Sequence, residues 1–243
     1  MTVRWKDSRR SSPSQPMNLR ERMRVDSVPT VLHDESSAGV PLELSHRDFG
    51  RYTWVRKLAT GGTSHVIEVH DPVLQRNVAI KHLRAEFRGT PVENLLREEA
   101  LVTSKLEHPS VIPVYDANLD DDGYYAMRLS VRPNLGEILA GLASADRALL
   151  AEWTQPRLVR AFLQTCQAVA YAHEHHVIHC DLKPANILLG GFGEVLVADW
   201  GIAVTPDRPE PRGGTPGYMP PEQSGRRQVD ARIGQHVLVA LVA

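Results

Sequence analysis

Only two cysteines, Cys166 and Cys180, occur in the 243 residues. That excludes a disulfide framework and suits a reducing cytosol. Nowhere do 18 apolar residues run together, which excludes an ordinary membrane-spanning helix in this sequence. The first residues, MTVRWKDSRRSSPSQP, lack the apolar stretch of a secretory signal. A formal net charge of −1 gives no support for bulk binding to nucleic acid or to a membrane surface. What is present is a 42% share of hydrophobic residues, enough for a core and contrary to global disorder. These features lead to the expectation of a soluble, cytoplasmic protein.

Residues 1–47 are rich in Arg, Ser, Pro and Asp without a sustained apolar period, and are expected to form a disordered tail. From Arg51 the texture changes. YTWVRKL, SHVIEVH and RNVAIKHL are short β-branched and aromatic runs separated by turn residues, each expected as a strand. Pro91 then opens a helical pattern through VENLLREEALVTSKL, with proline favoured in a first turn. Two further strand-like runs, VIPVYDAN and YYAMRLS, flank the turn-prone DDDG. Five strands and one helix make a small mixed lobe of α+β class. In the second half, Leu158, Val159, Phe162, Leu163, Cys166, Val169, Ala170 and His173 recur at i, i+3, i+4 spacing, marking one long amphipathic helix with Cys166 on its apolar face. Two short strands, ILL and EVLVAD, follow. The run His173–His176 lacks a third ligand at suitable spacing, so a polar helix end is expected there and no metal site.

Chemistry concentrates in Val177–Gly201, VIHCDLKPANILLGGFGEVLVADWG. Phosphoryl transfer needs metal ions on the phosphates, a cation on the phosphate oxygens and a base oriented on the attacking hydroxyl. Asp181 is placed to be that base, and Lys183 could steady the moving phosphoryl group. Asn186 and Asp199, thirteen residues apart, offer the oxygen ligands that Mg²⁺ prefers. Upstream, Lys81 in VAIK and Glu99 are eighteen residues apart, consistent with a strand lysine held by a helix carboxylate.

These motifs, in this order, resemble those of the eukaryotic-type protein kinases, especially the bacterial serine/threonine members. The resemblance runs from about Tyr52 to Gln223 and rests on VAIK (Val78–Lys81), HCDLKPAN (His179–Asn186), DWG (Asp199–Gly201) and GTPGYMPPEQ (Gly214–Gln223). It implies a bilobal fold, with an ATP-binding lobe at residues 52–131 and a mainly helical lobe, incomplete here, at 132–243. It also implies ATP and Mg²⁺ as cofactors and a protein Ser/Thr hydroxyl as substrate. By the same resemblance Lys81 contacts the α/β-phosphates and pairs with Glu99, Asp181 is the catalytic base, and Asn186 and Asp199 hold Mg²⁺. Gly61 and Gly62 belong to the glycine-rich loop, Val66 and Ala79 cover the adenine, and Leu188 lies beneath it. Met127 is the gatekeeper before a hinge at Arg128–Ser130. Lys183, in LKPAN, resembles serine/threonine rather than tyrosine kinases.

The sequence departs from the family pattern in three places. Ala59, Gly61 and Ser64 stand where the family has three glycines, which implies weaker cover of the phosphates. Cys180 replaces an arginine that in many relatives pairs with a phosphorylated activation loop, and Ile202–Gly214 offers only Thr205 as a hydroxyl. That phosphorylation switch is expected to be absent, with Cys180 an inert, partly buried thiol. Finally, 20 residues follow Gln223, where the family continues into several helices. Gly234 stands where relatives have a bracing aspartate, Glu222 is expected to miss its arginine partner, and the apolar HVLVALVA to miss its packing partners. A C-terminally truncated lobe of reduced stability is the expectation. Two other functions compete: an inactive kinase fragment or pseudokinase that binds ATP or a partner, and a small-molecule phosphotransferase of aminoglycoside or choline type. Lys183 and GTPGYMPPEQ speak against the latter.

Overall fold

Three strands open the fold because β-branched runs alternate with turns that reverse the chain: β1 (Thr53–Thr60), β2 (Ser64–Asp71) and β3 (Arg76–Leu83). A computed structural model describes residues 49–120, 123–131, 133–224 and 229–230. The tail expected at 1–47, Gly234 and HVLVALVA lie outside the described residues. With β4 (Val114–Asn118) and β5 (Tyr124–Met127), the strands form one antiparallel sheet in the order β1-β2-β3-β5-β4. Its register sets Lys81 of β3 opposite Val66 of β2 and Tyr125 of β5, and Ala79 opposite Met127. One face buries Phe49, Tyr52, Ile67, Val69, Val78, Ile80 and Tyr124, and Phe49 meets the Tyr124 ring edge-on at 5.6 Å.

The other face receives α1 (Pro91–Lys105). Its start is written in the sequence: Thr90 caps it through a bond accepted from the Val92 amide (3.3 Å), Pro91 fills the first turn and Glu93 complements the dipole. Leu96 and Ala100 pack against Leu83 and Tyr125, so burial of this stripe presses Glu99, on the same side, toward the sheet.

Below the sheet the chain is mainly helical. α2 (Leu135–Ala143), α3 (Arg147–Glu152) and α4 (Gln155–Glu174) precede a two-stranded hairpin, β6 (Ile187–Leu189) with β7 (Val195–Val197), and a last short helix, α5 (Pro221–Ser224). α2 and α3 are additions to the elements expected from the sequence. α2 opens with a capping box, Asn134 accepting from the Glu137 amide at 3.0 Å while Glu137 accepts from the Asn134 amide at 2.9 Å.

For α4 the expected buried face needs correction. Val159 and Leu163 are 59% and 55% exposed, and Ala170 is exposed too; the buried positions are Ala161, Thr165, Ala168, Val169 and Ala172. Small side chains let α4 approach the core closely, and the buried Thr165 hydroxyl is satisfied by the Ala161 carbonyl at 2.9 Å. Cys166 is only partly buried. The core here gathers Ile138, Ala168, Ile187, Leu189, Val197 and Trp200. Trp200 is fully buried, its indole N–H donating to the Val197 carbonyl at 3.2 Å.

Candidate active site

β3, α1 and the Asp199 loop meet at Lys81. Its ammonium lies 2.6 Å from Glu99 Oε1 and 3.0 Å from Asp199 Oδ1. The Tyr125 hydroxyl, one strand over, donates to the same Glu99 oxygen at 2.9 Å. No motif marks Tyr125; its signal is the register, which sets it beside Lys81. Burial works against the Lys81 ammonium, but the carboxylates of Asp199 and Glu99 outweigh it and hold its pKa well above the ordinary lysine value. Lys81 in turn pulls the Asp199 carboxyl down to about 2. Burial pushes Glu99 upward against the attraction of Lys81. Asp199 keeps 46% of its side chain exposed while Glu99 keeps 5%, so one carboxylate anchors the lysine from the interior and the other faces solvent. Gly201 fits this packing: a Cβ there would lie 3.1 Å from Glu99 Oε2.

Asp181 sits in a second cluster. Its Oδ2 accepts from Lys183 Nζ at 2.9 Å and from Asn186 Nδ2 at 3.4 Å. Its Oδ1 accepts from the amide and hydroxyl of Thr215 at 2.8 and 2.6 Å, and Lys183 also donates to the Thr215 hydroxyl at 2.7 Å. Thr215, within GTPGYMPPEQ, carries no spacing signal for this role; the structure makes it the contact between that segment and Asp181.

His179 ties the Asp181 loop to the chain just before Asp199. Burial depresses its pKa, so the ring is neutral near pH 7. Its hydrogen bonds then assign the tautomer: Nε2–H donates to the Ala198 carbonyl at 3.0 Å and Nδ1 accepts the Asp181 amide at 3.2 Å. The ring leans on Trp200 at 4.5 Å. The Ala198 amide donates to the Asn186 carbonyl at 2.9 Å, tying the chain before Asp199 to the loop after Asp181.

Asn186 and Asp199 fit a hard cation. Asn186 Nδ2 is fixed on the Asp181 carbonyl at 2.8 Å. Among the described residues neither Asn186 Oδ1 nor Asp199 Oδ2 takes a hydrogen bond, so two oxygen acceptors stay open, the donor type Mg²⁺ selects.

The remaining expected residues lie around the clusters. Val66 is half-buried and Ala79 buried on neighbouring strands. Met127 ends β5, partly buried against the α1 core, and the Arg128 amide donates to the Pro113 carbonyl at 3.1 Å. Leu188 is half-buried in β6 and bridges to Asn134. Gly61 and Gly62 form an exposed turn closed by the Gly61 amide on the Ser64 carbonyl at 2.8 Å, and they share no hydrogen bond with Lys81. Arg84 braces this turn, donating to the Gly62 carbonyl at 2.9 Å, a contact that strand patterning does not reveal.

Cys180 is 6% exposed and packs with Val204 and Val229. Burial pushes its thiol up to about 11, in keeping with the inert thiol expected from the sequence. Its backbone lies in the left-handed region at φ 62°, uncommon without glycine, and its carbonyl is held by Gln223 Nε2 at 2.5 Å. Gln223, 2% exposed, also donates to the Gly213 carbonyl. Glycine is required next door: a Cβ on Gly214 would meet Gln223 Nε2 at 2.6 Å and the Cys180 carbonyl at 3.1 Å. Glu222 is half-buried and has no ion pair among the described residues.

A lysine clamped by a helix carboxylate, a loop aspartate braced by lysine and asparagine, and a second aspartate in the loop after the β6–β7 hairpin make up a candidate phosphoryl-transfer site. The chain belongs to the protein kinase domain family, whose model matches residues 52–234. It is 36% identical over 179 residues, 69% of this chain, to the serine/threonine-protein kinase PknD of Protochlamydia amoebophila. It is 37% identical over 161 residues, 63% of this chain, to the kinase of the same name in Chlamydia muridarum. It is also 34% identical over 200 residues, 79% of this chain, to a probable serine/threonine-protein kinase of Streptomyces coelicolor. The chain spans 17% of the length of the first two relatives and 29% of the third. Among the described residues no helix is long and apolar enough to cross a membrane.

Proposed function

We propose that this chain transfers the γ-phosphate of Mg·ATP to a serine or threonine hydroxyl of a protein. The observation that carries the reading is Lys81 held at once by Glu99 and Asp199, at 2.6 and 3.0 Å, which joins a strand, a helix and a loop far apart in sequence. When bound, Mg·ATP supplies the transferable phosphoryl group and the charge that neutralises its oxygens. Lys81 orients the phosphates from the sheet side, with residues 52–131 as the covering lobe; Asn186 and Asp199 offer their open oxygens to the metal. Val66, Ala79, Met127 and Leu188 line the adenine side. Asp181 takes the proton of the attacking hydroxyl, and Lys183 stabilises the charge that develops there.

Support for a protein substrate comes from Thr215. Its hydroxyl donates to Asp181 Oδ1 at 2.6 Å while accepting from Lys183 at 2.7 Å, so the segment expected to face a protein substrate places a hydroxyl within hydrogen-bond distance of the candidate base. Labelled ATP offered with a mixture of Ser/Thr peptides and, separately, with aminoglycosides tests the reading. Label in peptides alone upholds it. Label in aminoglycosides alone replaces it with a small-molecule phosphotransferase, and Mg·ATP-dependent thermal stabilisation without turnover replaces it with a binding module.

A further inference from the structure

Three consecutive residues of α1 point to three different neighbours, because successive helical positions are about 100° apart. Arg97 reaches outward, pairing with Asp120 and donating to the Leu119 carbonyl at 3.1 Å. Glu99 faces Lys81. Glu98, between them, takes two guanidinium groups on one oxygen, Arg208 and, at 2.8 Å, Arg212. Both arginines come from the segment between the DWG loop and Gly214.

That segment is shaped to present them. Thr205 and Arg208 exchange backbone hydrogen bonds at 2.9 and 3.1 Å, closing a turn with Pro206 at its second position. Pro206, Pro209 and Pro211 fix φ along the run, so less freedom is lost when it docks. One end is pinned where Ile178 and Val204 exchange backbone bonds at 2.9 and 2.8 Å. The other is pinned where Gln223 holds Gly213 and Cys180. Of the residues between these anchors, Arg208 and Arg212 are the ones that form ion pairs with α1 among the described residues.

We propose that Glu98, Arg208 and Arg212 form a latch that sets the rotation of α1 and so keeps Glu99 on Lys81, without any added phosphate. They are positioning residues acting through Glu99, and the role in catalysis rests on the kinase reading above. The anion that gathers the two cations is a carboxylate already in the chain, and Cys180 supplies no cation that would call for another. An isolated surface ion pair contributes little; this one differs because Arg208 is only 16% and Glu98 29% exposed, and because two cations share one carboxylate. The charge count predicts an asymmetry. Removing Arg212 leaves a neutral Arg208–Glu98 pair, whereas removing Glu98 leaves two neighbouring cations uncompensated.

The test uses the full chain as wild type, Glu98→Gln, Arg212→Gln and the exchange E98R/R208E, which keeps one carboxylate between two guanidinium groups. Amide hydrogen exchange is read across 91–105 and 205–214, beside kcat and KM on a peptide substrate. The latch predicts faster exchange in both segments for Glu98→Gln and a kcat lower by about tenfold with an unchanged peptide KM. It also predicts a smaller effect for Arg212→Gln, recovery in the exchange variant and no loss of activity after phosphatase treatment. Loosening of 205–214 with α1 unchanged would overturn it, as would phosphatase-sensitive activity. Should Glu98→Gln fail to fold, Arg208→Gln with Arg212→Gln carries the exchange measurement, and α1 as protected as in wild type overturns the latch. Absence of turnover in the wild type counts against the kinase reading alone, because the exchange result stands without it.

Discussion

Asp199 shows how much one side chain depends on its neighbour. The Lys81 ammonium holds its carboxyl down to about 2, below the ordinary value of about 3.9. The contact therefore stabilises the folded chain fully above that ordinary value, and its contribution is lost as pH falls from there through about 2. Asp199→Asn is expected to flatten the acid limb of an unfolding titration between about pH 4 and 2, where the wild type falls more steeply; parallel limbs would contradict the ion pair. Cys180 makes a second residue-scale prediction. Buried to 6% exposure and with its thiol pushed up to about 11, it should resist iodoacetamide at pH 8 in the native chain and react fully in denaturant. At this scale the sequence was informative where a motif fixes spacing: Lys81, Glu99, Asp181, Lys183, Asn186 and Asp199 all fall in the two clusters. Tyr125, Thr215, Gln223 and Arg84 escaped because each acts through a contact made across the fold, which strand and helix periodicity do not encode.

Among the elements, α1 bears the Glu99 and Glu98 contacts, so its start matters to the site. Thr90→Ala removes the oxygen that accepts the Val92 amide and is expected to cost about 1 kcal/mol, measured as a lower urea midpoint, while Thr90→Ser should restore most of it. The five strands and α1 were legible because alternating β-branched runs and a capped apolar stripe are local signals. α2 and α3 were not, being only nine and six residues long, although Asn134 and Glu137 at capping-box spacing were a readable start signal. The buried face of α4 was misjudged for a different reason. Large apolar residues dominate a periodicity count, but close packing favoured the small Ala161, Ala168 and Ala172, and size at a helix contact is set by the partner element.

At the scale of the molecule, the sheet with α1 carries Lys81 and Glu99, the hairpin region carries Asp181, Asn186 and Asp199, and His179 joins the last group through Ala198. The proposed function requires these parts to assemble a working phosphoryl-transfer site in this chain. Phosphate incorporation from labelled ATP by the wild type beside Asp181→Asn tests it most directly. Incorporation by the wild type is expected, with a drop of about 10²–10⁴ in the variant, the range of a lost general base. Equal incorporation by both, or none by a folded wild type, would contradict it.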